Sequence, residues 1–541
     1  NLKKLKSMLP KVNSYKTLVD QFQWSIPRNY NMAWDICDKW VEEESRVALL
    51  YETKDGEVAR YTFKDIHLLS NRLANVFATL GLAVRDRVGI LLPQRPEVGI
   101  SHLATYRSGA IAVPLFTLFG QDALRYRLKD SGANIVVTDS VGANSIASIR
   151  DELPDLRTVI NIDGASDGAE DFYALLERGS DSFKTVHTAA EDPALIIYTS
   201  GTTGDPKGAL LPHRTMIGHM PGVEFSHDFL GQQGDLIWSP ADWAWIGGLV
   251  DVLFAAWQLG VPVIARRFEK FDPDQALYLM ERFAVRNVFM PPTALRMMRN
   301  ISSKKFTGLN LRSLASGGES LGAELQDWSK NTLGIFINEF YGQTECNMTV
   351  SGCSSLYALK QGAIGRAAPG HLVAVIDHEG NEKPHGESGM IAVAAPNPVM
   401  FLGYWNNDPA TQDKFIGRWL ITGDTGSIDE EGYITFVGRD DDVITSAGYR
   451  IGPGPIEDCL TAHPSVQMAA VIGKPDDART EIVKAFVVLR EGYESSEALR
   501  DELKDWVKNR LSKHEYPREV EFLLDLPKTN TGKIIRRLLR N

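Results

Sequence analysis

Short apolar runs alternate along this chain with segments of helical length. "RVGILLP" (87–93), "AIAVPLF" (110–116), "NIVVTD" (134–139) and "RTVINID" (157–163) are separated by stretches such as 121–131. Parallel strands cannot be joined by a tight turn; each needs a crossover, usually a helix, so this alternation points to βαβ units and a largely parallel sheet. The rhythm returns in "GVPVIAR", "NVFMPP" and "IFINEFYG". One helix there is expected to open with Asp272 as N-cap and Pro273 at its first position, a favourable pairing.

Past about residue 440 the texture changes. Strand-like "VQMAAVIG" and "VKAFVVL" precede a helix at 497–511 with Leu499, Leu503, Trp506, Val507 and Leu511 on one face. A further strand, "EVEFLL", leads into a basic tail. At 541 residues the chain exceeds what one core supports. The expected architecture is α/β: a large multi-sheet body, 1–439, followed by a small mobile α+β domain, 440–541. The glycines and charges of "GRDDDVITSAGYRIGPGP" (438–455) suit a hinge between them.

A net charge of −11 argues against a general nucleic-acid or anionic-membrane surface, so an anionic substrate would need a local cluster of cations. Cys37, Cys346, Cys353 and Cys459 form no CxxC pair and fit a reducing, intracellular compartment. The first nineteen residues carry five lysines, no acid and no arginine, weakly like a transit segment. Cytoplasm is the expected location, with the mitochondrial matrix left open. Asp251, Gln258 and Pro262 interrupt the most lipid-like stretch, 246–265, which reads as a buried helix and strand rather than a membrane span.

"YTSGTTGDPKG" (198–208) looks like a phosphate loop but has Pro206 before Lys207 and Gly208 after it, unlike the P-loop of nucleotide hydrolases. It is flanked by the extended runs "ALIIY" and "ALLPH", so it is expected to join two strands with no helix dipole behind it. Backbone N–H groups freed by Gly201, Gly204 and Gly208, the hydroxyls of Thr199, Ser200, Thr202 and Thr203, and the Lys207 ammonium would hold an anion. A plain surface turn is the alternative.

The ordered series "YTSGTTGDPKG", "YGQTE" (341–345), "TGD" (422–424), "GRDDD" (438–442), "GYRIGP" (448–453) and "PKTNTGK" (527–533) resembles the adenylate-forming superfamily, which includes acyl-CoA synthetases, peptide-synthetase adenylation domains and firefly luciferase. "FQWSIPRNYNMAWDICDKW" (22–40) further resembles the opening of the medium-chain acyl-CoA synthetases. The resemblance implies activation of a small carboxylic acid by ATP to an acyl-adenylate, then transfer to the thiol of coenzyme A.

It also implies roles. The 198–208 loop would clasp the β- and γ-phosphates. Thr344 would donate to the α-phosphate and Glu345 would bind Mg²⁺, a hard cation suited to carboxylate and phosphate oxygens. Tyr341, with Gly318 and Glu319, would flank adenine; Asp424 would accept from the ribose hydroxyls, assisted by Arg439. Lys533 would bridge the attacking carboxylate and the α-phosphate, as a compact charge can. Asp441 would be the pivot, with Gly448, Tyr449 and Arg450 near the CoA tunnel. Trp245, Ile246, Gly318 and Gly342 would bound the acyl pocket. Acetate-activating relatives carry tryptophan at the Gly342 position, so an open floor and an acid larger than acetate are expected here.

Several features are read more plainly. Asp440, Asp441 and Asp442 are taken as solvated rather than metal-binding, the tail arginines as a solvated terminus, and His213 and His219 as structural. Pro455, in "GPGP", and Asp205, in the phosphate loop, depart from the family pattern. Delivery to a carrier-protein thiol, hydrolysis by a P-loop-type NTPase and a non-catalytic binding relative are the competing readings; the order around Lys207 disfavours the second and the presence of Thr344, Glu345, Asp424, Arg439 and Lys533 the third. Oligomeric state is not legible.

Overall fold

The computed structural model describes residues 7–199, 205–301, 306–439, 442–446, 449–476, 480–511, 515–529 and 533–540, excluding the side chains of Thr445, Tyr449 and Arg450. The strand rhythm resolves into two largely parallel sheets. Arg87–Leu91, Ile111–Pro114, Ile135–Thr138 and Thr158–Asn161 run parallel in the first. Val263–Ala265, Asn287–Phe289, Ser313–Gly317 and Ile337–Gln343 belong to the second. Its far edge is closed by the hairpin Val47–Glu52 and Val58–Thr62.

Helices Pro96–Arg107 and Thr215–Ser226 are buried along their whole length, and side chains from both sheets join them in one core. A helix that lies between layers has no solvent face to keep polar, so neither shows an amphipathic stripe. By contrast Pro273–Arg282 is two-faced and starts on Asp272, whose side chain accepts from the Asp274 and Gln275 N–H groups. Gln121–Ser131 is helical as expected. The stretch 246–265 is a buried helix, Ile246–Gln258, whose middle, Leu249–Phe254, is wound as a π-helix, and then the strand Val263–Ala265.

A third, antiparallel sheet, with Val373–Ile376, Gly389–Ala394, Trp419–Ile428 and Ile434–Arg439, precedes a fourth built from residues 444–522. The fourth carries the helices Pro453–Thr461 and Glu497–Arg510. Leu499, Leu503 and Val507 are buried in its core, but Leu511 lies beyond the helix and is 38% exposed. Pro453 and Pro455 fall in the first turn of Pro453–Thr461, where the first N–H groups have no intrahelical partner, so neither proline costs a hydrogen bond.

The solvated reading is corrected here for Asp442, Arg536 and Arg540; Arg537 is exposed, as expected. Arg536 donates to both Glu457 carboxylate oxygens, at 2.8 and 2.7 Å, and to Asp442 at 3.3 Å; Arg540 donates to Asp442 at 2.8 Å. These pairs dock the tail on the small domain, and the turn ahead of them is closed by Thr529 N–H donating to the Lys533 carbonyl at 2.7 Å. Arg536→Ala should leave the partly buried Glu457 without its guanidinium partner, while Asp442 keeps Arg540, at a cost of about 2 kcal/mol. A lower urea midpoint checks this; an unchanged midpoint would mean the pairs are solvated after all.

Candidate active site

The parallel strands Ser313–Gly317 and Ile337–Gln343 end side by side, the place where sheets of this kind bind ligands. Just past the first strand, Gly318 has φ +93°, and a Cβ there would meet the Trp245 ring at 3.3 Å and Lys533 Cε at 3.9 Å. Glycine is needed for both the backbone angle and the space. The same contact brings the basic tail of the last domain onto the body, beside Trp245.

Tyr341, near the end of the second strand, donates its hydroxyl to Asp424 Oδ2 at 2.5 Å. Gln343 adds a weaker bond to that oxygen at 3.3 Å and is itself held by Lys414 at 3.0 Å. Asp424 pairs across its sheet with Arg439, whose Nη1 lies 3.7 Å from Oδ1. Burial raises the Asp424 carboxyl above the usual carboxylate range, opposed chiefly by Arg439. The carboxylate is thus oriented by a phenol and an amide, with its other oxygen toward Arg439.

Thr344 and Glu345 form the turn between Ile337–Gln343 and Cys346–Ser351. Glu345 is buried and accepts from the Tyr404 hydroxyl, while Lys207 Nζ stands 5.4 Å from the centre of the Tyr404 ring. Tyr404 therefore ties the end of the candidate phosphate loop to Glu345. That loop joins Pro193–Thr199 to Lys207–Pro212, which pair antiparallel with Thr199 opposite Lys207. No helix follows it directly. Ser200, Gly201, Thr202, Thr203, Gly204, Asp441 and Gly448 lie outside the described residues, as do the side chains of Tyr449 and Arg450.

Lys533 is exposed, with its side chain beside Gly318 and Trp245. The surrounding protein lowers its pKa from 10.5, against attraction from Glu319, Asp424 and Glu345. Glu319 accepts from Thr293 at 2.8 Å and lies 3.6 Å from Arg296, which also reaches Asp458 of the small domain at 3.6 Å.

Trp243 is core, whereas Trp245 is partly exposed and continues through Phe289 to Phe340, with ring centres 5.7 and 5.1 Å apart. Ile246 is buried behind Trp245. The open floor expected at Gly342 is not found. A Cβ there would lie 2.4 Å from Met348 N and 2.7 Å from Asn347 Oδ1, so Gly342 permits a close approach of the opposing strand. His213 and His219 are fully buried, and burial lowers both pKa values to about 4. They are neutral structural groups at ordinary pH. Sequence reasoning missed Tyr404 and Lys414, which stand outside the quoted motifs, and the role of Gln343 within "YGQTE".

The chain matches the model of the AMP-binding enzyme over residues 38–405, and that of the AMP-binding enzyme C-terminal domain over 455–533. It belongs to this family. Its sequence is 35% identical to the mitochondrial acyl-coenzyme A synthetase ACSM4 of Rattus norvegicus, covering 97% of this chain and 92% of the relative. It is also 35% identical to an acetyl-coenzyme A synthetase of Bacillus subtilis (strain 168), over 94% and 90%. Among solved structures it resembles an acyl-CoA synthetase of Brucella canis (35% identity, TM-score 0.76, 98% of both chains). An anthranilate CoA ligase in complex with anthranoyl-AMP superposes with TM-score 0.87 at 28% identity, over 95% of this chain and 97% of that one. The family enzyme is an AMP-forming acid–thiol ligase with a large N-terminal and a small C-terminal domain.

Glu339, on the strand ending at the site, accepts from the Leu321 N–H at 3.2 Å and so fixes the loop after Gly318. Burial raises its pKa from 4.5 to about 8. A raised acid pKa means the folded state binds more protons, so this stability is full below about pH 4.5 and is lost as pH rises through about 8. Melting temperature should therefore fall between pH 5 and 8 more in the wild type than in Glu339→Gln. Parallel pH profiles would show that the carboxyl is already ionised.

Proposed function

We propose that this chain joins a short- or medium-chain, branched or aromatic carboxylic acid to coenzyme A. A carboxylate oxygen attacks the α-phosphorus of ATP, the bond to the bridging oxygen breaks and pyrophosphate leaves. The coenzyme A sulfur then attacks the acyl carbon of the adenylate, and AMP leaves. The observation that carries the first step is the approach of Lys533 Cε to within 3.9 Å of a Cβ position on Gly318, beside Trp245. There the ammonium would span the carboxylate and the α-phosphate, stabilising charge where it develops.

Thr344 would donate to the α-phosphate, Lys207 and the preceding loop would hold the β- and γ-phosphates, and Tyr341, Gly318 and Glu319 would flank the base. Asp424 and Arg439 would hold the ribose. Magnesium fits the donors present: Glu345 is a single buried carboxylate tied by Tyr404 beside Lys207, and no group of three His, Cys, Asp or Glu ligands occurs among the described residues. A cation held by one carboxylate and substrate phosphates is the arrangement Mg²⁺ favours, and it would neutralise phosphate charge. The names of the relatives, mitochondrial and bacterial acyl- and acetyl-coenzyme A synthetases and an anthranilate CoA ligase, support coenzyme A as acceptor over a carrier protein. Free thiols at Cys37, Cys346, Cys353 and Cys459 support a reducing compartment, cytoplasm or mitochondrial matrix. No helix among the described residues is long and apolar enough to cross a membrane.

Acid-dependent exchange of pyrophosphate into ATP, then coenzyme A-dependent release of AMP, tests the two steps in turn. Lys533→Ala should cut the exchange at least a hundredfold, about 3 kcal/mol, while sparing thioester formation from supplied acyl-adenylate. Exchange near the wild-type rate would remove Lys533 from the mechanism.

The boundary proposed is 1–439 and 440–541, with Asp441 as pivot. Lys533 and the strand Tyr449–Ile451 belong to the same small domain but serve different steps at one carbon, so a rotation between steps is the simplest way to present each. Asp441→Pro, which restricts φ, should slow one half-reaction far more than the other. Equal slowing of both, followed separately by single-turnover assays, would argue against the pivot.

A further inference from the structure

Three linked features place a hydrogen-bond acceptor, Asn347 Oδ1, beside Gly342, where the acyl slot is expected. The first is a β-bulge. Tyr341 pairs with Val350 and Gln343 with Cys346, so the returning strand carries extra residues opposite Gly342. Met348 takes φ +56° there, a left-handed angle costly for a residue with a side chain. The bulge pushes Asn347 beneath Gly342, with Oδ1 only 2.7 Å from where a Cβ would stand.

The second is a buried acid with no structural need to be there. Asp251 lies in the π-helical turn Leu249–Phe254 among Leu249, Val250, Val252, Leu253 and Phe254, all buried. Irregular turns of this kind are often found at functional sites. Asn347 Nδ2 donates to Asp251 Oδ2 at 2.7 Å, which fixes the amide with its oxygen turned away from the acid. Burial raises the Asp251 pKa well above the usual carboxylate value, opposed by the hydrogen bond from Asn347.

The third is unsatisfied polarity behind the amide. Asp251 Oδ1 lies 3.8 Å from His219 Nε2, and neither atom has a hydrogen-bond partner among the described residues. His219 Nδ1 donates to the Thr215 carbonyl at 2.7 Å, leaving Nε2 as an acceptor. A purely hydrocarbon pocket would gain nothing from such a group, whose burial costs free energy unless it is hydrogen-bonded.

We infer that the preferred acid carries a hydrogen-bond donor, a hydroxyl or amino group, at the end remote from its carboxylate, and that Asn347 Oδ1 accepts it. The inference rests on the ligase reading above. Trp245, backed by the buried rings of Phe289 and Phe340, would supply the apolar wall for the body of the acid, with Lys533 near Gly318 and the Asn347 amide near Gly342. Asp251 does not touch the substrate; it positions the amide.

Pyrophosphate exchange should be measured with isosteric pairs: hydroxybenzoates against the corresponding toluates, and terminal hydroxyalkanoates against alkanoates one carbon longer. In the wild type, kcat/KM for the donor-bearing member of at least one pair should exceed its partner by about tenfold or more, because a methyl group set against the amide oxygen displaces its solvation without supplying a donor. Asn347→Leu should erase or invert that ranking, with ATP-induced thermal stabilisation reporting that the variant is folded. If it does not fold, the wild-type ranking decides alone. Equal or better use of the methyl members throughout, or a ranking unchanged in folded Asn347→Leu, overturns the inference while leaving the ligase reading intact. Absence of exchange with every acid overturns both.

Discussion

A single ammonium group from the last few residues of the chain reaches the strand ends of the large body, and much of the architecture serves to hold it there. Lys533 lies among Glu319, Asp424 and Glu345, in surroundings that depress its pKa by burial. A flexible lysine on a loose tail would hold no such position. Thr529 N–H donates to the Lys533 carbonyl and Lys533 N–H to Thr529 Oγ1, and the chain beyond is tied down by Arg536 on Glu457 and Asp442. Glu457 and Asp458 share the helix Pro453–Thr461; one holds the tail and the other meets Arg296 of the body. One short helix thus links the position of Lys533 to the contact between domains.

The phosphate-loop candidate follows a different physical plan from loops that end on a helix. Helix-terminated loops recruit a macrodipole. Here two antiparallel strands supply a rigid base instead, and a Cβ on Gly208 would lie 2.8 Å from the Ile196 side chain, so glycine keeps that base closed. Charge must then come from side chains. Lys207 supplies it, held near Glu345 through the Tyr404 ring.

The parallel strands were legible because burial on both faces leaves continuous apolar runs, and the Asp272–Pro273 helix start because its chemistry is local. The residues proposed for the nucleotide side stand out through ordered motifs, and the structure sets Tyr341 and Arg439 against Asp424, Glu345 and Lys207 against Tyr404, and Lys533 near Asp424 and Glu345. The third sheet left no strand–helix rhythm because its strands pair antiparallel and need no helical crossover between them. The tail misled for a related reason: a basic run looks solvated until its partners, Glu457 and Asp442, many residues away, are seen. Gly342 misled because one glycine can open space or admit backbone, and only the bulge at Met348 decides between them.

The overall charge of −11 and the proposed polyanionic substrate are reconciled by local arrangement. The cations Lys207, Lys414, Arg439 and Lys533 gather at the cleft, each within reach of a carboxylate or its hydrogen-bonded neighbour. Because positive and negative groups there are nearly equal in number, the cleft is not a region of strong net charge, and its cations do not repel one another unopposed. The same balance limits how much triphosphate charge the protein can neutralise alone, with Glu319, Glu345 and Asp424 already facing the cations. A divalent cation arriving with the nucleotide would shift the balance, and Glu345, buried and tied by Tyr404 next to Lys207, is the carboxylate set to receive it. Selectivity for ATP over other anions would then come from the geometry around Tyr341 and Asp424 more than from charge, since nearly balanced charges at a cleft attract anions only weakly.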